Sequence, residues 1–246
     1  MRVLWFLVLI SLALFGYDSY SRNSVNDKGI ETWRIAALEW PPYAGENLPG
    51  QGEAIRQLRC LLQAESISLE VDFYPWLRAR SLAGTDEYIG YFPAWPSEVE
   101  TGFIATPAIM YSGIALMQRD QLESPESDKT LDQLLADRRV GLVQTYVYPS
   151  ELWQSLIRHL DRVHYASTDQ ILMRKLSAGR DDIAITDPRV MNFYAQQEGV
   201  ENVSLLKELG RLPLVLALKQ NDAGRLKRIQ LMRVIEAAAK GRVPCY

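Results

Sequence analysis

Trp40, Tyr43, Trp76 and Trp95 have flat faces that stack on a ring or hold a cation. They stand in three aromatic and proline clusters: EWPPY at Glu39 to Tyr43, YPWLRA at Tyr74 to Ala79, and GYFPAWPSE at Gly90 to Glu98. Glu39 puts a negative charge beside the first ring, Asp187 offers another later in the chain, and Arg78 brings a guanidinium to the second cluster. This set suits binding rather than bond-making, with a small polar or cationic organic solute held between aromatic faces and an acid. Each tryptophan also has a plainer reading as core packing, which is weaker for Trp40 and Trp95 because each adjoins a proline in a turn.

Catalytic signatures do not compete with this reading. The sequence has no GxSxG, no HExxH and no phosphate loop, and neither histidine, His159 or His164, lies beside a plausible nucleophile. With no CxxC and only two imidazoles a zinc site has little support, and no cofactor is expected. A formal net charge of −3 argues against a nucleic-acid partner, which needs a clustered basic surface.

Short apolar runs precede the clusters, and strands and helices alternate around them. Strands are expected at Arg34 to Leu38, Ser68 to Phe73, Tyr88 to Phe92 and Ser112 to Gln118, with helices at Gly52 to Gln63 and Trp76 to Ala83. A polar link, Arg119 to Lys129, contains Pro125 and marks a lobe boundary. A second series then begins with Thr130 capping a helix through Ala136. It continues with strand Arg139 to Gln144, helix Pro149 to His159, strand Val163 to Tyr165 and helix Thr168 to Ser177, with Gly179 behind it. Strand Asp182 to Thr186, helix Pro188 to Glu198, strands Val203 to Leu206 and Leu214 to Leu218, and helix Ala223 to Lys240 complete it. Such alternation specifies an α/β fold with mostly parallel sheets flanked by helices. Clefts in such sheets open at the carboxyl ends of strands, where the three clusters stand.

The ends of the chain bear on its location. Met1 and Arg2 precede an apolar run, Val3 to Phe15, too short to span a bilayer comfortably and of the length of a secretory core. Residues 1–21 are therefore expected to be a signal peptide, with an uncleaved anchor as the alternative; either places the folded part outside the cytoplasm, in the periplasm. Cys60 and Cys245 are an even pair in an exported chain, and two readings stand: a disulfide tying the tail to the first helix, or two free thiols. On that helix Ala54, Ile55, Leu58, Leu61 and Leu62 form the apolar stripe, leaving Cys60 off the core face.

From Thr32 to Gly241 the chain resembles the bacterial extracellular solute-binding proteins of family 3, which have the type II periplasmic-binding fold. The resemblance rests on the order of a WPPY-like turn, an F-x-PW-x-RA segment, GYFPAW-x-SE, a TP…YSG strand, RVGLVQ, a helix ending in AGR, and DDIAITD. It implies a first lobe from residues 22–118 and 212–246 and an inserted second lobe from residues 119–211. The two crossings would lie near Leu116 to Asp120 and Gly210 to Pro213, with ligand bound between lobes that close on it. A monomer is expected that binds a small polar, cationic or amino-acid-like solute and hands it to an inner-membrane permease or reports it to a sensor protein, with a ligand-free interaction or sensor protein as the alternative. The family's carboxylate-binding arginine is missing, because the stretch reads Trp95, Pro96, Ser97, Glu98, Val99, Glu100. The acid that meets the ligand ammonium is retained as Asp187, and Arg78 is the candidate to replace the arginine. The enzyme rival within this fold is an exported dehydratase of prephenate-like acids, whose cationic site for a dicarboxylate has no counterpart here. No enzymatic activity is expected.

Overall fold

The computed structural model describes residues 31–119 and 129–245; the expected signal peptide and most of the polar link lie outside them. Strands and helices alternate as β1 (Thr32–Ala37), α1 (Glu53–Gln63), β2 (Ser68–Phe73), α2 (Trp76–Ala83), β3 (Gly90–Ala94), β4 (Phe103–Ala105) and β5 (Met110–Arg119). They continue as α3 (Leu131–Ala136), β6 (Val140–Val143), α4 (Ser150–Leu156), β7 (Val163–Ala166), α5 (Asp169–Ser177), β8 (Ile183–Thr186), α6 (Pro188–Glu198), β9 (Val203–Lys219) and α7 (Asp222–Ala239). The strands run in the order β2-β1-β3-β9-β5-β8-β6-β7, with β4 also on β9.

Two lobes follow from this order. Parallel strands β2-β1-β3 form the sheet of the first, and parallel strands β8-β6-β7 that of the second. Between them β5 and β9 pair antiparallel from Met110↔Leu214 to Arg119↔Val203, with bulges after Ile114 and Leu116. The antiparallel share exceeds what helix–strand alternation suggests, because these two strands add to both sheets.

β9 also corrects the expectation of two strands at Val203 to Leu206 and Leu214 to Leu218, since it is continuous over 17 residues. Gly210 and Pro213 read as breaks, yet Gly210 takes φ 146° inside the strand. The Leu214 carbonyl accepts from Ile109, so Leu214 faces β5 and Pro213 beside it turns its missing N–H the other way. Pairing of β9 with β3 begins only at Val215, leaving that side open at Pro213. β4, three residues long, was not anticipated, and α4 ends at Leu156, followed by a 3-10 segment through Arg162.

The helices keep the rules that predict them. On α1 the buried residues are Ala54, Ile55, Leu58, Leu61 and Leu62, the stripe read from the sequence. Thr130 and Gln133 cap α3 reciprocally, Thr168 caps α5, and Pro188 takes the first turn of α6. Gly179 turns left-handed behind α5 at φ 70°. Cys60 and Cys245 are joined by a disulfide, Cα to Cα 5.7 Å, so of the two readings the structure has the bridge.

Candidate functional site

Each aromatic cluster sits where a strand of the first lobe ends. β1 runs out into Leu38, Glu39 and Trp40, and the turn that follows brings the ring of Tyr43 onto Trp40, stacked with centroids 4.7 Å apart. β2 leads to Tyr74 and Pro75, after which Trp76 opens α2; β3 leads to Trp95 and a 3-10 turn ending in Glu98. Trp40, Tyr43, Trp76 and Trp95 are all buried.

The second lobe brings a fourth aromatic segment to meet them. After β6 come Tyr146 and Tyr148, and Tyr146 packs edge-on to Trp95 at 5.0 Å and to Trp40 at 6.4 Å. Tyr148 reaches back to its own lobe, accepting from the Val143 N–H at 2.9 Å and donating to the Ile185 carbonyl at 3.1 Å. Ser97 adds a polar tie across the interface, donating to the Val147 carbonyl at 2.6 Å.

Beside this contact lies a cavity of about 470 Å³ between the lobes. The first lobe lines it with Glu39, Glu46, Phe73, Tyr74 and Trp76, the second with Thr145, Tyr146, Thr168 and Asp169. Every charged side chain in that lining is acidic. Glu39 is exposed and accepts from the Glu46 backbone N–H at 2.8 Å. Asp169 is buried at the start of α5 and accepts from the hydroxyls of Tyr146 at 2.6 Å and Thr186 at 2.7 Å. Burial lifts its carboxyl to about 6, against the pull of those two hydrogen bonds.

A smaller recess of about 10 Å³ lies behind, bounded by Leu38, Trp40, Trp76, Trp95, Tyr146 and Glu98, among others. Glu98 is 6 % exposed. Its Oε1 accepts from Trp76 Nε1 at 3.1 Å and its Oε2 from the Trp95 backbone N–H at 3.0 Å. Burial pushes its carboxyl up to about 7, opposed by those hydrogen bonds and by the charge of Arg80.

The remaining residues singled out from the sequence are placed as follows. Arg78 is exposed, outside the cavity lining, with its guanidinium 5.4 Å from the Tyr74 ring centroid. Asp187 has no exposed surface and caps α6, accepting from the N–H groups of Arg189 at 2.7 Å and Val190 at 3.1 Å. Its other oxygen accepts from the Tyr43 hydroxyl at 2.9 Å and the Gly113 N–H at 2.6 Å. Burial raises its pKa while these four donors oppose the rise. Here it works as a tie between the first lobe, the crossing strand β5 and α6; Arg189 strengthens that seam by bonding Glu53 at 2.6 Å and lying 5.1 Å from the Tyr43 ring centroid.

The structure thus places Glu39 and Trp76 in the cavity lining and Trp40 and Trp95, with Trp76, around the recess behind it; it sets Tyr43 and Asp187 in the seam and leaves Arg78 outside the lining. Sequence reasoning missed Tyr146, Tyr148, Asp169 and the inward aim of Glu98. The first two had a visible signal: TYVYP follows the strand RVGLVQ and has the aromatic and proline make-up of the other clusters.

No protein-family model matches the chain, and no curated protein sequence does. Solved structures do. A histidine kinase sensor domain with similarity to periplasmic binding proteins matches at TM-score 0.71 and 17 % identity, over 87 % of this chain and 92 % of that one. An ancestral arginine-binding protein bound to arginine matches at 0.68 and 16 %, over 87 % and 95 %. The periplasmic binding protein of an arginine transport system from Legionella pneumophila matches at 0.62 and 16 %, over 85 % and 95 %.

Proposed function

From a chain with the two-lobed type II periplasmic-binding fold, we propose an exported solute-binding protein that takes a small organic cation into the cleft between its lobes. One observation carries this reading: the 470 Å³ cavity is lined by Glu39, Glu46 and Asp169, with aromatic faces beside them and no basic side chain. A cation entering it meets negative potential and ring faces, whereas a carboxylate meets repulsion. The volume suits a ligand of amino-acid size or somewhat larger. That two of the similar structures are arginine-binding or arginine-transport proteins agrees with a cationic ligand.

On this reading residues 22–118 and 212–246 form one lobe and 119–211 the other, with β5 and β9 as the hinge and residues 1–21 as the export signal. Glu39, Trp40, Trp76 and Trp95 contact the solute, and Arg78 guards the rim on Tyr74. The protein binds and does not convert its ligand. Occupancy is passed to a membrane partner, a permease for uptake or a kinase-like receptor for sensing; likeness to a kinase sensor domain supports the second as much as transport relatives support the first.

Calorimetric titration with arginine, putrescine, choline, glucose and succinate tests the proposal. Saturable heat with at least one cation and none with succinate is expected. Binding of succinate or glucose with no response to any cation overturns it.

A further inference from the structure

Behind the cleft, the Glu98 recess is built unlike an ordinary core. Three indoles, Trp40, Trp76 and Trp95, surround a carboxylate that takes part in no ion pair among the described residues; nearby Arg80 is bound to Glu100 instead, with Nε 2.9 Å from Oε1. Out of water and without a counter-charge the protonated form of this group is favoured, and a cation brought beside it would favour the ionised form. On the same wall Trp40 is 4 % exposed, and its Nε1–H is buried without a hydrogen-bond partner, a donor free for an acceptor such as a ligand hydroxyl.

The chemistry of the walls narrows the cation. Both Glu98 oxygens already accept hydrogen bonds, from Trp76 and from the Trp95 backbone. The other walls are the aromatic side chains and the apolar Leu38, Pro93 and Leu214. An ammonium with three N–H groups would be stripped of water and find few acceptors. A head whose nitrogen carries methyl groups loses little hydration and offers C–H surface to indole faces, while keeping the charge that Glu98 attracts.

Resting on the reading of the cleft as a cation site, we infer that the Trp40, Trp76, Trp95 and Glu98 recess is the subsite for an N-methylated ammonium head, with Tyr146 as its removable cover. With Tyr146 in place about 10 Å³ is free, too little for such a head. Tyr146 belongs to the second lobe, its hydroxyl held by Asp169, whereas the three indoles and Glu98 belong to the first. Separation of the lobes therefore withdraws the cover and leaves the box intact.

Choline and ethanolamine share a skeleton and differ in the three methyl groups, so calorimetry with this pair on the full-length folded protein is the test. Choline is expected to bind at least about tenfold tighter than ethanolamine, and Glu98→Gln to lose at least about tenfold of the choline affinity. Tyr146→Ala is expected to keep or strengthen choline binding. Equal affinities for the two amines overturn the inference, whether or not the Glu98 variant folds, as does unchanged choline binding by a folded Glu98→Gln. If arginine or putrescine binds and choline does not, the box is refuted and the cation cleft stands; if no organic cation binds, both fall.

Discussion

Replacing Glu98 by glutamine removes one titratable group from a buried site, and its effect on stability has a defined pH dependence. In the unfolded chain the carboxyl titrates near 4.5; in the folded protein burial lifts it to about 7. Between those values the folded protein keeps a proton that the unfolded chain has released, so stability falls as pH rises through that window. The full displacement corresponds to ~3 kcal/mol, of which ~2.5 kcal/mol falls between about pH 5 and about pH 8. Glutamine does not titrate, but its amide has one acceptor oxygen for two donors, Trp76 Nε1 and the Trp95 N–H, a loss of about 1 kcal/mol at every pH. Near parity with the parent is therefore expected at about pH 5, and a lead of ~2 kcal/mol for the variant at about pH 8. Of the groups around Glu98, Tyr91, Tyr146 and Tyr148 stay neutral because burial raises all three. Asp169, lifted to about 6 by burial, is present in both proteins, so its own contribution largely cancels in the difference. Urea unfolding followed by tryptophan fluorescence at four pH values reads the result. A stability difference that stays flat with pH refutes the burial argument.

Three further outcomes are expected. Asp169→Asn should weaken cation binding by about tenfold above pH ~6 and converge with the parent below it, because the parent's carboxyl is then protonated; an equal loss at all pH values would point to packing instead. Tyr43→Phe removes the hydroxyl that joins the first lobe to Asp187, so a loss of about 1–3 kcal/mol is expected together with a larger radius of gyration in solution scattering. Unchanged scattering would show that this bond does not hold the lobes together. Reducing the disulfide, or replacing both cysteines by serine, frees a span of 185 residues, and the chain-entropy estimate is about 5 kcal/mol of lost stability. Identical melting of oxidised and reduced protein would contradict it.

The sequence revealed local structure better than it revealed what the structure brings together. The α1 stripe, the Thr130 and Thr168 caps and Pro188 at the head of α6 depend on neighbours within a turn or two, and each stands where its pattern put it. Gly210 and Pro213 are breakers by residue type and divide the β9 pattern in two, and only the ladder with β5 shows that the strand tolerates both. Asp187 before Pro188 is also a local N-cap signal, and in the structure it caps α6 by accepting from the N–H groups of Arg189 and Val190. Glu98 is different in kind. Its burial depends on Trp40, Trp76 and Tyr146, drawn from separate elements and both lobes, and nothing within a few residues of Glu98 announces it.

The link between Cys60 and Cys245 makes most of the protein a covalent ring, closed through α1 and the tail. The second lobe and both crossings lie inside that ring. A protease that cuts once in the polar link, or anywhere in the second lobe, opens the ring and releases no fragment. The two pieces stay joined until a reductant reaches the sulfurs, so a nicked molecule keeps both walls of its cleft within reach of each other.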